Sequence, residues 1–309
     1  MTLFSIIIPA FNRANFIQAT LKSVFAQESN DYEIIVVDDG STDGTLDVLA
    51  RYGEDIKVFQ QENKGPGEAR NLGISNAQGQ YIVFLDSDDL WFPWTLSTFE
   101  QVIKNYNYPS FITGSSFYFK DDSELSGIQP QPLEFQCFSD YYTAATQYLP
   151  FLTSAVAVKR TVLQKTHGFT SQRINAEDND LWMKLGTAEE FVYIHSPKLL
   201  GYRQHEYSAI ASNTKTYEGT CYLIQQEKQG QYPGENNRQG ERLEILTRHI
   251  RPVSIACLRQ VELQQAWFLY KETILWHILL LRIRYLIVFP LLFLFTMLRQ
   301  NFLKKPHNC

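Results

Sequence analysis

Five aspartates at the ends of two apolar runs carry the first chemical signal in this chain. Asp38 and Asp39 close the run Tyr32–Val37, and Asp86, Asp88 and Asp89 close Tyr81–Leu85. In an open α/β sheet, ligands bind in the crevice beyond the carboxyl ends of the strands, so both clusters should face one crevice. Carboxylates a few ångströms apart repel unless a cation sits among them. Asp86 and Asp88, two apart in extended chain, point to the same side. That suits one group that orients a ligand and one that holds a hard divalent ion. Oxygen donors favour Mg²⁺ or Mn²⁺, which bind through one or two carboxylates plus substrate phosphates. Asp43, Asp47 and Asp89 read equally well as turn or cap residues. No G-x-G-x-x-G follows the first apolar run and no Walker A lysine motif occurs, which argues against a Rossmann dehydrogenase and a P-loop NTPase. Phosphates would then be held through a metal rather than a glycine cradle.

The elements that must position these groups alternate in short order. Leu3–Pro9 is a continuous apolar run, the pattern of a strand buried on both faces. Residues 13–27 place Phe16, Ile17, Leu21, Val24 and Phe25 at helical spacing. Strand Tyr32–Val37, a helix from Thr42 to Tyr52, strand Ile56–Phe59, helix Gly67–Ala77 and strand Tyr81–Leu85 follow. Pro93 opens another helix, and Ser110–Phe119 reads as one strand. Such alternation implies a parallel sheet with right-handed crossovers, an α/β class. Residues 120–150 read as loop, Ser154–Val158 as a short strand, and a helix starts near Glu177. The polar, glycine-bearing stretch 228–242 is the linker candidate, and helix follows from Glu241.

Composition bounds the partners. Of 309 residues, 44% are apolar and 20% charged, which excludes a wholly disordered chain. The net charge of −5 argues against nucleic acid, whose binding needs a basic face. Four scattered cysteines contain no C-x-x-C, so no zinc ribbon is expected, and no signal peptide is read at the start. A reducing, cytoplasmic setting follows as the default. His167, His195, His249, His277 and His307 form no ligand spacing. The charge is unevenly spread: residues 270–309 carry six basic side chains and one acid, a net of +5, which leaves −10 on the rest.

Trp276–Leu298 is the greasiest stretch. Its uncharged part, Tyr285–Leu298, would cover about 21 Å as helix, short of the ~30 Å hydrocarbon core. Extending it back to Ile278 adds length but includes Arg282 and Arg284, which are costly at mid-bilayer. The expectation is an amphipathic anchor, lying in the membrane plane or shallowly re-entrant, its Arg and Lys on anionic headgroups.

Four segments carry a family resemblance. Ser5-Ile-Ile-Ile-Pro-Ala-Phe-Asn12, Glu33-Ile-Ile-Val-Val-Asp-Asp-Gly-Ser-Thr-Asp43, Asn63-Lys-Gly-Pro-Gly-Glu-Ala-Arg-Asn71 and Tyr81-Ile-Val-Phe-Leu-Asp-Ser-Asp-Asp89 resemble, in order and spacing, family 2 glycosyltransferases. The likeness covers roughly residues 3–210. It implies the GT-A fold, a Rossmann-like, mostly parallel sheet flanked by helices, here with a C-terminal helical, partly hydrophobic extension. It also implies metal-dependent, inverting transfer from a nucleotide-diphosphate sugar. Carried over by position, the backbone around Pro9 and Phe11 would line the nucleotide pocket. Asp39 would read the base, with Asp38 as the alternative, and Arg70 would also contact the base. Asp86 resembles the ribose and nucleotide contact, and Asp88 the metal ligand.

Further along, Ala176-Glu-Asp-Asn-Asp-Leu-Trp182 resembles the family's acidic pair near the acceptor, which makes Asp178 the matching catalytic base. Gly201-Tyr-Arg-Gln-His-Glu-Tyr-Ser208 resembles the segment that closes over the diphosphate, implicating Arg203, His205 and Ser208. The processive Gln-x-x-Arg-Trp signature is absent, which favours single-sugar transfer. UDP is the nucleotide that the resemblance favours, with dTDP and GDP open.

The organisation expected is a catalytic domain over 1–215, with 1–109 for the nucleotide sugar and 110–215 for the acceptor. A helical extension over 216–270 and a membrane-associating tail over 271–309 complete it. The implied partners are the sugar donor, a saccharide or lipid-linked acceptor, and the cytoplasmic face of the plasma membrane. Two rival readings are a non-catalytic nucleotide-sugar binder and a nucleotidyltransferase. The second usually has a glycine-rich, lysine-bearing loop where Pro9-Ala-Phe-Asn12 stands.

Overall fold

Seven consecutive buried residues, Phe4–Ala10, form strand β1 at the middle of the nucleotide half. A computed structural model describes residues 2–147, 149–205 and 213–303, with side chains to residue 300 except at 213. On one side β1 pairs in parallel with β2 (Tyr32–Asp38), which pairs in parallel with β3 (Lys57–Gln60). On the other it pairs in parallel with β4 (Tyr81–Phe84). The β4 ladder ends at Ile7 opposite Phe84, so the missing N–H of Pro9 costs no bond on that side. Helices α1 (Ile17–Phe25), α2 (Thr45–Ala50) and α3 (Pro66–Asn76) supply the crossovers.

Beyond residue 90 the chain departs from simple alternation. Leu90–Trp91 is a short strand, β5, and α4 (Thr95–Asn105) begins two residues after Pro93. The stretch read as one strand, Ser110–Phe119, splits at Ser115 into β6 (Phe111–Gly114) and β7 (Ser116–Phe119). These enter two different sheets. Ser115 takes the corner, its N–H donating to Ile194 O and its Oγ to His195 O. The region read as loop also holds β8 (Glu134–Phe138) and α5 (Tyr141–Ala145). Then come β9 (Val156–Lys159), α6 (Arg160–Leu163), α7 (Glu177–Lys184), β10 (Phe191–Ser196) and β11 (Leu200–Arg203).

The eight-stranded sheet runs β3-β2-β1-β4-β9-β6-β10-β8. Its strands are parallel except β9, which is antiparallel to β4 and β6, and β8, antiparallel to β10. A small sheet, β5-β11-β7, sets Arg203 at the end of β11. The core is built on Phe4, Ile6, Ile8, Leu21, Val36, Val83, Phe99 and Ala157. This is the α/β architecture that the alternation implies.

The chain divides into two compact units, one of Met1–Arg173 and Glu177–Ala211, the other of Ile174–Ala176 and Ser212–Cys309. The second unit is helical: α8 (Asn213–Lys228), α9 (Gln239–Arg259), α10 (Leu263–Leu279) and α11 (Ile283–Leu303). The 228–242 stretch is a packed corner, because buried Arg242 holds Glu227 at 2.8 Å and the carbonyls of Pro233 and Glu235. Cys257, Ala266, Tyr270, Tyr285 and Phe289 form this unit's core. The greasy run is not one helix: Leu281, at φ 52°, turns the chain between α10 and α11, and Arg282 pairs with Glu244.

Candidate active site at the strand ends

The two acidic turns lie side by side because β2 and β4 both flank β1. Asp38, the last residue of β2, is buried, and its Oδ2 accepts the Ser41 N–H at 3.1 Å. Its Oδ1 accepts no hydrogen bond among the described residues. Asp39 is buried too, with its carboxylate already engaged. Oδ1 accepts from Gln61 Nε2 and the Lys64 N–H, each at 2.7 Å, and Oδ2 accepts the Gly65 N–H at 2.8 Å. Gly65 adopts φ 95°, a conformation open to glycine, and presents that N–H. Asp39 thus fastens the loop before α3.

Asp86 and Asp88 follow β4. Asp86 Oδ1 takes Arg70 Nη2 at 2.7 Å, and Arg70 Nη1 reaches Glu177 Oε1 at 3.2 Å. Arg70 is 4% exposed, a buried clamp between the strand end and α7. Burial disfavours its charge, but the carboxylates of Asp86, Glu177 and Asp178 outweigh that and raise its pKa above the ordinary value. Asp178, on the first turn of α7, accepts from Thr153 Oγ1 at 3.3 Å and from the Asn179 N–H at 2.7 Å. Its acidic neighbours Glu177 and Asp180 share that turn.

Asp88 gathers side chains from two other segments, the loop after β1 and the end of β11. Its Oδ2 lies 3.0 Å from His205 Nε2 and 3.3 Å from Arg13 Nε. Arg203 Nε donates to the Asp88 carbonyl at 2.9 Å, and its other nitrogen pairs with Asp122. The Arg203 guanidinium also lies 4.7 Å from the Phe119 ring centroid. Phe16 stacks on His205 at 4.9 Å. Behind them, buried Asp89 accepts the Arg203 N–H at 3.0 Å and Ser154 Oγ at 2.7 Å. Burial, with Asp86 and Asp88 adding their charge, pushes the Asp89 carboxyl well above the usual carboxylate range.

Among the described residues, no group of three His, Cys, Asp or Glu side chains converges as a metal cage. The Asp88–His205 pair nonetheless fits a hard divalent ion, which takes few protein donors and completes its shell with water and phosphate.

Of the residues singled out from sequence, Asp88, Arg203 and His205 come together, while Arg70 binds Asp86 on the α7 side, within electrostatic reach of Asp178. Pro9 is buried in β1 and Phe11 is 40% exposed on the loop after it. Ser208 lies outside the described residues. Arg13, Phe16 and Ser154 were not legible as site residues. The available signal was position: Arg13 follows β1 on the same sheet edge as the aspartates.

An uncharacterized glycosyltransferase of Rickettsia conorii is 34% identical over 189 residues, 60% of this chain and 30% of that protein. One of Rickettsia felis is 46% identical over 93 residues, 29% of this chain and 15% of the relative. The chain therefore spans less than a third of these two relatives. The Escherichia coli UDP-Glc:alpha-D-GlcNAc-diphosphoundecaprenol beta-1,3-glucosyltransferase WfaP is 33% identical over 187 residues, covering 60% of this chain and 70% of WfaP. In fold, the chain resembles S. aureus TarS 1-349 in complex with UDP-GlcNAc, with TM-score 0.62 and 22% identity over 81% of this chain and 73% of that one. The pattern of Glycosyl transferase family 2 matches residues 5–165, which contain both acidic turns and Arg70 and end before Asp178 and His205. With more than half its length matched, the chain belongs to glycosyl transferase family 2.

Proposed function

We propose that the protein is an inverting glycosyltransferase that moves one sugar from a nucleotide-diphosphate sugar, with UDP as the carrier, to an acceptor hydroxyl. The acceptor class is a saccharide or lipid-linked saccharide of cell-surface polysaccharide synthesis. The observation that carries this is the meeting of Asp88 and His205, 117 positions apart, beside the carboxyl ends of β1 and β4. An isolated nucleotide-sugar binder has no need of Asp178 on the same side of Arg70, which favours turnover over binding alone.

Asp88 and His205 would hold Mg²⁺ or Mn²⁺, which when bound offsets charge on the departing diphosphate. Asp178 would take the proton from the acceptor hydroxyl, a role worth about 10²–10⁴ in rate. Asp86, fixed by Arg70, would orient the ribose end of the donor. Pro9, Phe11 and the Asp38–Asp39 turn would line the base pocket, and Arg203 and Ser208 would flank the diphosphate. Asp38 Oδ1, buried and without a partner, suits a base N–H, because a buried acceptor left unpaired is costly. Asp39, spent on its loop, suits a supporting role. The test is transfer from a panel of UDP-, dTDP- and GDP-sugars with Mn²⁺ onto undecaprenyl-diphosphate-linked sugars, with product anomeric configuration read by NMR. Transfer with inversion from a UDP-sugar is the expected outcome. Donor binding without turnover across the panel would favour the non-catalytic reading.

The membrane reading rests on α11. Its 21 residues cover about 31 Å, and Ile283–Gln300 has a mean hydropathy of 1.5. Tyr285 and Phe289 pack inward, while Ile283, Ile287, Leu291, Phe295 and Leu298 stand exposed on the other face. A helix seated along its own unit by one side, with an apolar outer side, suits attachment in the plane of the cytoplasmic leaflet.

A further inference from the structure

Arg13 occupies an unusual place for a loop cation. The backbone around it is firmly anchored: the Asn12 N–H donates to Ser41 Oγ at 2.9 Å, and the Arg13 N–H to Thr45 Oγ1 at 2.8 Å. Its side chain folds back, Nη1 donating to the Phe11 and Asn12 carbonyls at 3.2 Å each. Its Nε then faces Asp88 Oδ2, the oxygen that His205 Nε2 also approaches. The side chain is 22% exposed, so a path to a ligand in the crevice is open.

Resting on the assignment of a divalent ion to Asp88 and His205, we propose that Arg13 exchanges partners. In the donor-free protein it is the counter-cation of Asp88. In the loaded protein it binds the donor's diphosphate. An ion shared by Asp88 and His205 takes Oδ2, the oxygen that His205 faces and that the guanidinium also faces, and two cations on one oxygen repel. Arg13 must therefore leave Asp88 as the ion enters. The counter-charge it then meets is the nucleotide diphosphate, whose negative charge exceeds what one divalent ion neutralises. A guanidinium fork matches phosphate oxygens in a way that a lone ammonium does not. Ion and nucleotide consequently bind as a pair, each weakening without the other, because coupling between two sites is reciprocal.

The experiment is Mn²⁺ binding to the full-length, nucleotide-free protein, followed by the paramagnetic resonance of the free ion, and UDP binding by calorimetry in saturating Mn²⁺. Arg13→Gln is expected to bind Mn²⁺ about tenfold tighter without nucleotide and UDP about tenfold weaker with Mn²⁺, within the usual span of coupling between sites. Arg13→Lys keeps the charge and should keep Mn²⁺ binding weak, which separates exchange from a damaged loop. Unchanged or weaker Mn²⁺ binding in Arg13→Gln, or unchanged UDP affinity, overturns the proposal. Asp88→Asn distinguishes the levels. Mn²⁺ binding that depends on Asp88 but ignores Arg13 overturns only the exchange. Mn²⁺ binding that ignores Asp88, or none at all, overturns the ion assignment with it.

Discussion

Arg70 and Glu177, 107 positions apart in the chain, meet at 3.2 Å in a buried ion pair. The same guanidinium holds Asp86 at 2.7 Å, so one side chain ties the end of β4 to the start of α7. Removing one member of a buried pair costs more than the pair contributes, because the other charges stay behind unmatched. Arg70→Leu should therefore lower unfolding stability by about 3 kcal/mol, the lower end of that class, since Asp86 is one-third exposed. Urea midpoints of wild type and variant measure this. A loss under about 1 kcal/mol would mean that Arg70 is no clamp.

Asp88→Ala should abolish sugar transfer and Mn²⁺ binding while circular dichroism stays unchanged. Asp88 is partly exposed, and its partners Arg13 and His205 can turn to solvent. Full activity in this variant, or in wild type with excess EDTA, would sink the role assigned to it.

Asp178→Asn should retain donor binding and lower the transfer rate by about 10²–10⁴. The amide oxygen can keep the bond from Asn179 and the amide NH2 can donate to the Thr153 hydroxyl, so the fold should hold. Single-turnover rates beside UDP calorimetry decide this. Binding lost together with rate would move Asp178 to the donor side.

His277 is fully buried in α10, its ring nitrogens without hydrogen-bond partners among the described residues and its ring 4.3 Å from Tyr285. Burial, with Arg251 and Arg282 adding repulsion, pushes its pKa down to about 4. The unfolded chain takes a proton near pH 6.5 that the folded chain refuses until about 4, so stability is lost as pH falls through that window. The full shift corresponds to about 3 kcal/mol. Unfolding midpoints from pH 7 to 4 should drop more steeply for wild type than for His277→Leu. Parallel curves would refute the buried neutral histidine.

Truncation after Gln265 should release the protein from anionic liposomes in flotation while UDP binding persists. Ile287→Asp with Leu291→Asp should do the same through the exposed face of α11. High salt should partly release the full-length protein, because headgroup attraction is screened. Complete salt resistance would indicate a spanning helix, for which about 31 Å is long enough.

Local pattern made the strand–helix alternation, the paired acidic turns and the helix at Glu177 legible, since apolar runs and strand-end aspartates are short-range features. The split of the 110–119 run was not legible. Both halves are β-forming, and only the corner bonds of Ser115 to Ile194 and His195 send them to different sheets. The role of Arg70 was likewise hidden. Its motif resembles a base contact, and only the structure shows the buried Asp86–Arg70–Glu177 clamp. The break in the tail belongs to the same class, because nothing local marks Leu281 for a left-handed turn or Arg282 for Glu244. Periodicity determines which elements form and which faces are apolar. The tertiary structure decides which charges meet, because strand order places β1, β4 and β11 residues together without regard to their distance along the chain, and a charge in a buried crevice takes whichever counter-charge the fold brings within reach.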